Sequence, residues 1–204
     1  MALVERPFRP QTILNDVHDD TNNVIRTSNT DLTSAVDSTT TALKTIDYAH
    51  SEVHSGSSYV VCDVQSVSTT TMKWQITTPN STKYSHMVFD IECTGEAYVL
   101  VTEGSDRTDG TALVEINRNR VGTPSVAGTI VTRTPTGGAT DGATTIMARR
   151  VGATGVGNKT LSGGGNRGLN EYVLKPNTKY VVSVTTYAAV FVSFCVDWYE
   201  HTNK

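Results

Sequence analysis

Apolar and polar residues alternate in the stretch 85–120, and this stretch sets the expected architecture. Four residues fall on one side of a period-two pattern: Met87, Phe89, Ile91 and Cys93. This pattern is typical of a half-buried β-strand, because successive side chains point to opposite faces of a sheet. A nearly continuous apolar run follows at 97–101, and the chain then passes through the Gly, Ser and Asp residues of a turn before resuming at 112–116. The stretch therefore predicts an antiparallel β-meander with polar turns.

Further candidate strands lie on both sides of this stretch. They are 59–67, 72–76, 129–131, 144–148, 169–174, 180–184 and 190–198. The last is the longest alternation in the chain, so we expect it to lie centrally over the core. The residues expected to form that core are Phe89, Ile91, Val99, Val101, Val192, Phe194 and Trp198. About nine or ten strands without helical interruption predict a mainly β protein, an antiparallel β-sandwich of jelly-roll type, with an up-and-down barrel as the alternative.

The spacing of four residues before the penultimate strand supports two packed sheets. These residues are Leu174, Pro176, Thr178 and Tyr180. Their spacing is similar to the tyrosine corner of β-sandwich domains, where a phenol binds backbone at the turn between sheets. We therefore expect the hydroxyl of Tyr180 to bind main-chain atoms of that turn.

A helical pattern occupies the region before the strands. Seven residues fill the a and d positions of three heptads: Ile25, Asn29, Leu32, Val36, Thr39, Leu43 and Ile46. Most are apolar, and a seam this narrow indicates helices that associate with identical neighbours. The many Thr, Ser, Asn and Asp residues disfavour helix, so a helix packed on its own domain and a disordered arm are the alternatives. The prediction is a coiled-coil-like stalk over 13–50 that makes the protein a homo-oligomer.

The first residues differ from both later regions. Pro7, Phe8 and Pro10 stand among charges, which disfavours helix and indicates an extended peptide over 1–12 that is either disordered or lies on a partner, and we expect it to anchor the chain. The predicted organisation is therefore an anchoring peptide over 1–12, a stalk over 13–50 and a β-sandwich head over 51–204.

Composition narrows the function classes. The net charge is only −3 and 18% of residues are charged, which speaks against a nucleic-acid partner. The start of the chain carries charges and prolines where a signal peptide has its apolar core, and no apolar run is long enough to span a membrane. We expect synthesis in the cytoplasm and no membrane association. The three cysteines, Cys62, Cys93 and Cys195, lack metal-ligand spacing and sit in alternating apolar runs, so we expect buried free thiols.

Candidate chemistry is sparse. Four acids, Asp90, Glu92, Glu96 and Glu103, could face one groove as in a glycoside hydrolase, although acids on a solvated sheet face are the ordinary explanation. Asp106, Asp109 and Asp141 could hold calcium but do not have EF-hand spacing. His50 and His54 are four residues apart, with no third ligand nearby in sequence. The glycine-rich stretch 152–168 lacks the GK[ST] ending of a phosphate-binding loop, so we interpret it as a loop. We therefore expect no catalytic site, no metal and no cofactor.

Three strings carry a resemblance to a known family. They are ITTPNSTKYSHMVFDIECTGEA at 76–97, VTEGSDRTDGTALVEINRNR at 101–120 and EYVLKPNTKYVVSVTT at 171–186, and the chain then ends in VDWYEH. Together they resemble tailed-bacteriophage virion proteins of the capsid decoration or head-fibre type, over residues 50–201. The resemblance implies a jelly-roll module displayed on the particle, often as a trimer.

These observations give one functional hypothesis and two rivals. The hypothesis is a non-enzymatic virion component on the capsid surface, made in the host cytoplasm and bound to the major capsid protein through residues 1–20. One rival is a tail-fibre or adsorption protein whose head binds host surface glycans. The other is a hydrolase of surface polysaccharide that uses Glu96 or Glu103.

Overall fold

The computed structural model describes residues 48–121, 125–152 and 170–202. The chain divides between Asp47 and Tyr48 into two units, and all described residues belong to the second. The predicted anchoring peptide and the predicted stalk up to Asp47 therefore lie outside the described residues.

One helix and eleven strands occur within the described part. The helix α1 spans Tyr48–Ser55. The strands are β1 (Ser58–Ser68), β2 (Thr71–Thr77), β3 (Tyr84–Cys93), β4 (Ala97–Glu103), β5 (Thr111–Ala112), β6 (Ile116–Asn117), β7 (Ile130–Arg133), β8 (Thr144–Val151), β9 (Tyr172–Leu174), β10 (Lys179–Thr186) and β11 (Ala189–His201).

The strands form two antiparallel sheets. Sheet 1 has the order β6-β1-β11-β3-β9, and sheet 2 has the order β5-β7-β2-β10-β4-β8. When β5, β6 and β7 are set aside, every step along the chain moves from one sheet to the other except the step from β4 to β8, which pair within sheet 2, as in an eight-stranded jelly roll. The predicted β-sandwich is confirmed, and the alternative of an up-and-down barrel is wrong. The predicted meander is also wrong, because β3 and β4 follow each other in sequence but lie in different sheets.

The core lies between the sheets and contains every residue expected there. Phe89, Ile91, Val99, Val101, Val192, Phe194 and Trp198 are all buried. At its centre the rings of Trp74 and Phe194 stack with centroids 4.7 Å apart, which joins β2 of sheet 2 to β11 of sheet 1. The strand β11 pairs along its length with β1 and β3, so the longest alternation is central, as predicted.

A long insertion separates β4 from β8 and changes the edges of both sheets. The insertion spans residues 104–143 and contains β5, β6 and β7. Its strand β6 pairs with β1 in sheet 1, and β7 pairs with β2 in sheet 2. The expected strand 112–116 is therefore divided, because the chain crosses from one sheet to the other within it. The short strands β6, β9 and β5 lie at three of the four sheet edges and limit pairing with other chains there.

Two carboxylates hold the insertion against the sandwich. Asp63 accepts hydrogen bonds from Trp74 Nε1 at 2.9 Å and from Arg133 of β7 at 3.2 Å. Glu200 is buried, and its carboxylate accepts hydrogen bonds from the backbone N–H groups of Gly128 at 3.0 Å and Thr129 at 2.7 Å. A carboxylate removed from water is stable only when such donors surround it, so the position of the insertion is specified by these acids.

The tyrosine corner is confirmed in the turn between β9 and β10. The hydroxyl of Tyr180 accepts the backbone N–H of Lys175 at 2.9 Å and donates to Glu103 at 3.1 Å. Because β9 belongs to sheet 1 and β10 to sheet 2, this turn joins the two sheets. Burial raises the pKa of Tyr180, so the phenol stays protonated and able to donate.

Candidate functional site

The outer face of sheet 2 is covered by the insertion. Gln75 and Val181 point outward from paired positions on β2 and β10, yet both are 0% exposed. Gln75 donates to Asp109 of the insertion, and Thr102, which lies opposite Val181 on β4, donates to the carbonyl of Asp141 at 2.7 Å. The insertion therefore forms a third layer over this sheet.

The acids considered as calcium ligands serve to hold this layer in place. Asp141 pairs with Lys73 at 2.6 Å and with Arg107. Asp106 accepts the backbone N–H groups of Ala139 at 3.1 Å and Thr140 at 2.9 Å. Asp109 accepts hydrogen bonds from the side chains of Gln75 and Thr77, and its Oδ1 lies 3.5 Å from Lys179 Nζ. Their oxygens face donors of the protein itself, and no cluster of three His, Cys, Asp or Glu that could hold a metal occurs in the described ranges.

The pKa values of two of these acids reflect their donors. Hydrogen bonds from the backbone of Thr140 and Ala139 lower the pKa of Asp106. Burial works to raise the pKa of Asp141, but the hydrogen bonds and charges of Lys73 and Arg107 outweigh it, and that pKa lies below its ordinary value. Both carboxylates are therefore ionised and structural at neutral pH.

The four acids considered for hydrolysis do not converge on one groove. Glu96 pairs with Arg150, and Glu103 at the other end of β4 binds Lys175 and Tyr180. These two acids are separated by the length of β4, roughly 24 Å at 3.4 Å per residue. Asp90 and Glu92 lie on β3, in sheet 1. Retaining and inverting glycosidases place their two carboxyl groups no more than about 9.5 Å apart, so Glu96 and Glu103 lack that geometry.

The histidines belong to local side-chain contacts. His50 and His54 lie one turn apart on α1, with their Nε2 atoms 2.9 Å apart. His86 stacks on Tyr199 with ring centroids 4.7 Å apart, and Glu171 binds both His86 Nδ1 at 3.0 Å and the hydroxyl of Tyr199 at 2.8 Å. Sequence reasoning missed this cluster, because its members come together only through the pairing of β9, β3 and β11.

The outer face of sheet 1 is only partly covered in the part of the chain that the structure describes, since Val88 of β3 is buried but residues of β1 and β11 are exposed. We call the area formed by the outward residues of β1, β11 and β3 the open face. Its members are Val60, Cys62, Val64, Phe191, Cys195, Val88 and Asp90. Val64 is 62% exposed and Phe191 is 59% exposed. Exposed apolar side chains grouped on one surface mark a site of contact with something other than water.

A disulfide lies in the middle of the open face. Cys62 on β1 stands directly opposite Cys195 on β11, and the two are bonded. The expectation of three free buried thiols is therefore wrong for this pair, because the alternation of each strand directs both side chains outward and the strand pairing brings them together. Cys93 is free and buried, and burial raises the pKa of its thiol to about 11.

A depression of about 440 Å³ opens beside the disulfide. It is lined by Val60, Cys62, Val88, Asp90, Arg118, Cys195 and Asp197. Arg118 pairs with Asp197 at its rim. Asp90 lies directly opposite Cys195, and its Oδ1 has no hydrogen-bond partner among the described residues. Burial raises the pKa of Asp90, and the charge of Glu92 adds to this, while Arg149 opposes it.

The predicted oligomerisation and anchoring residues lie outside the described residues. They are Ile25, Asn29, Leu32, Val36, Thr39, Leu43 and Ile46 for the seam, and Pro7, Phe8 and Pro10 for the anchor. Their roles stay predictions. The disulfide and the depression were not singled out from sequence, and Asp90 was considered only as one of four acids for hydrolysis. Cys62 and Cys195 each lie in an alternating run, but that pattern does not indicate which strands pair.

No helix of the described ranges is long and apolar enough to cross a membrane. No protein-family model, no curated protein and no solved structure matches this chain.

Proposed function

We propose that this chain is a non-enzymatic structural protein of a tailed-bacteriophage particle, a capsid decoration or head-fibre protein on the capsid surface. The observation that carries the proposal is the passage of eight strands between two sheets in jelly-roll order. Jelly rolls recur in viral capsid and lectin domains. The family resemblance over residues 50–201 and the heptad seam that precedes the head support the same function.

The proposal gives each region of the chain one role. The proline-bearing peptide with Pro7, Phe8 and Pro10 binds the major capsid protein, because an extended peptide loses little conformational freedom on binding. The seam from Ile25 to Ile46 joins three copies, and each head carries its own complete sandwich. A symmetric assembly of this kind offers three anchoring peptides to one site on the capsid.

The head has features suited to display at high local concentration. The edge strands β6 and β9 of sheet 1 and β5 of sheet 2 contain only two or three residues each. Short edges present few unpaired backbone groups, so strand-to-strand pairing between neighbouring heads is restricted at these three edges, and the eight-residue β8 is the one long edge strand in the described ranges. A module repeated many times on one surface benefits from such protection against aggregation.

Gold-labelled antibody against the full-length protein tests the location. We expect label on the heads of intact particles, and purified particles should contain the protein. Label confined to the tails would support the adsorption protein instead. Absence of the protein from purified particles would overturn both virion functions.

Light scattering and variants of the predicted regions test the division of roles. The full-length chain should have a mass of about three times 22.0 kDa, and Leu32→Lys combined with Leu43→Lys should reduce it to one chain. Phe8→Ala should abolish binding to capsids that lack the protein while leaving the trimer intact. Gln11→Ala, in the same peptide, is the matched control and should bind normally.

One observation favours a second candidate, a tail-fibre or host-adsorption protein that binds surface glycans. Tyr187 is 64% exposed in the turn before β11, and Phe191 is exposed on β11 itself. Exposed aromatic rings stack on the apolar faces of sugars and are common in ligand sites. Binding of the full-length protein to host cells, lost on Phe191→Ala and kept on Val64→Ala, would support this candidate.

A further inference from the structure

The open face contains a covalent bond that solvent can reach. Cys62 is exposed on β1, whereas Cys195, its partner on β11, is half-buried. The depression of about 440 Å³ leads to both sulfur atoms and has room for a small molecule. Buried disulfides resist exchange because a thiol cannot reach them, and this one lacks that protection.

We propose that the Cys62–Cys195 disulfide is a site of thiol–disulfide exchange whose substrate is a small, uncharged thiol, with Asp90 as the proton donor. The thiolate of the substrate attacks Sγ of Cys62, because this is the more exposed sulfur. A bond forms between the two sulfur atoms, the Cys62–Cys195 bond breaks, and its electron pair stays on Sγ of Cys195.

Asp90 is placed to donate a proton to the thiolate that leaves in that step. It lies directly opposite Cys195 in the pairing of β3 with β11, and its Oδ1 accepts no hydrogen bond from the described residues. A protonated carboxyl group there donates its proton to the departing thiolate, which makes Cys195 the better leaving group. Burial raises the pKa of Asp90, which increases the fraction of the acid form.

A second thiol completes the reaction. Its thiolate attacks the substrate sulfur bound to Cys62, releases the substrate as a symmetrical disulfide and leaves Cys62 as a thiolate that takes a proton from water. Two thiols are thereby oxidised to one disulfide, and the protein disulfide is reduced to two thiols. The reaction is a single stoichiometric reduction of the protein disulfide, in which two substrate thiols supply both electrons.

The charges around the depression set the specificity for the thiol. Glu92 on β3 and Asp197 on β11 share the face with Asp90, Arg118 pairs with Asp197, and Arg149 of β8 acts on Asp90 from the side. With Asp90 in its acid form, two carboxylates balance two guanidinium groups, so no net positive charge offsets the cost of removing an anionic thiol from water. We expect 2-mercaptoethanol to react faster than 3-mercaptopropionate when both rates are divided by the thiolate concentration.

Thiol counting on the full-length protein provides the first test. The unfolded, unreduced chain should titrate one thiol, that of Cys93, and the reduced chain should titrate all three. After brief exposure to 2-mercaptoethanol, peptide mass spectrometry should find the adduct on Cys62. Three thiols in the unreduced chain, an adduct on Cys195 alone, or no adduct under conditions that reduce the unfolded chain would overturn the proposal.

The rate of reduction as a function of pH tests the role of Asp90. The thiolate-normalised rate of the native protein should fall as pH rises through the pKa of Asp90, because the acid form is lost. Asp90→Asn should be slower by about tenfold at the acidic end and should show no such fall. Ser193→Ala changes an outward position of β11 that does not line the depression and is the matched control. It should stay within about twofold of the native rate and show the same fall at the same pH.

A profile of Asp90→Asn that follows the native one would remove Asp90 from the reaction. If Asp90→Asn does not melt cooperatively, its rates cannot be interpreted. The position of the adduct on the native protein, Cys62 or Cys195, then tests the exchange site by itself. None of these outcomes depends on the proposed function. That function adds one consequence: a chain made in a reducing cytoplasm would close the disulfide only after the particle reaches oxidising surroundings.

Discussion

The two outer faces of the sandwich come from the same kind of alternating strand but have different surroundings. On sheet 2 the insertion covers outward residues such as Gln75 and Val181, whereas on sheet 1 Val64 and Phe191 remain exposed. Both faces carry apolar residues at outward positions, so alternation alone does not decide which face meets water. The covering segment comes from the long connection between β4 and β8. The open face is therefore the one that offers exposed apolar residues to a partner or a small molecule.

The acids on the two faces differ in the same way. Asp141 on the covered side is surrounded by donors that hold its pKa below the ordinary value, whereas Asp90 on the open face has one oxygen, Oδ1, without a hydrogen-bond partner among the described residues, and burial raises its pKa. A carboxylate that is fully bonded contributes to stability, and one that lacks partners remains available to exchange a proton. The covered face is therefore built for structure, and the open face keeps a reactive group.

The largest expected effect comes from the bond on the open face. Reduction of the Cys62–Cys195 disulfide should lower the free energy of unfolding by about 5 kcal/mol, because the bond closes a long loop of 133 residues in sequence separation. Urea unfolding with and without reductant measures this loss. The double variant Cys62→Ser with Cys195→Ser should be insensitive to reductant. A native protein that is equally insensitive would show that the open face needs no covalent support.

The same substitution on each face tests the comparison directly. Val181→Ala removes a fully buried side chain under the insertion and should cost about 2 kcal/mol from lost burial and the cavity that remains. Val64→Ala on the open face should change the free energy of unfolding by less than about 0.5 kcal/mol. Equal effects from the two variants would mean that Val64 is also covered in the assembled protein.

The junction between the two sheets should respond more weakly. Tyr180→Phe removes a hydroxyl that accepts a hydrogen bond from the N–H of Lys175 and donates one to the carboxylate of Glu103. It should lower the free energy of unfolding by about 1.5 kcal/mol, because both groups lose a partner. Tyr187→Phe, at an exposed turn position, is the matched control and should be neutral. Thermal unfolding monitored on both variants provides the measurement, and a neutral Tyr180→Phe would show that water replaces the phenol.

The sandwich was predictable from the sequence because its signals are local. Alternation identified Phe89, Ile91, Phe194 and Trp198 as core residues, and the spacing that ends at Tyr180 identified the corner between sheets. Each of these inferences depends only on residues that are neighbours in the chain.

The features of the candidate site depend on contacts between distant segments. Cys62 and Cys195 are far apart in sequence, and nothing near either residue indicates that their strands pair. The route of the insertion was also missed, because Ala112 and Ile116 have the pattern of one strand yet end in different sheets. A jelly roll places consecutive strands in opposite sheets, so its partners are non-local and local patterns cannot supply them.

The smallest expected effects are opposite in sign on the two faces and appear as a dependence on pH. The pKa of Asp141 is lowered in the folded state, so the unfolded chain binds a proton at this residue more readily. The stability that Asp141 provides is therefore present above the ordinary pKa of an aspartate. It is lost as pH falls through the pKa of the folded state. Asp141→Asn should therefore weaken the loss of stability in acid. It should cost about 1 kcal/mol at neutral pH, because Lys73 and Arg107 lose a charged partner at a partly exposed site.

The pKa of Asp90 is raised, so the folded protein binds a proton at this residue more readily than the unfolded chain does. Stability therefore falls as pH rises from the ordinary pKa of an aspartate towards the pKa of Asp90 in the folded state. Asp90→Asn should slightly increase stability at neutral pH and have no such effect in strong acid. Urea unfolding of both variants from acidic to neutral pH measures the two slopes, and slopes of the same sign would contradict the contrast between a face built for structure and a face with a reactive carboxyl group.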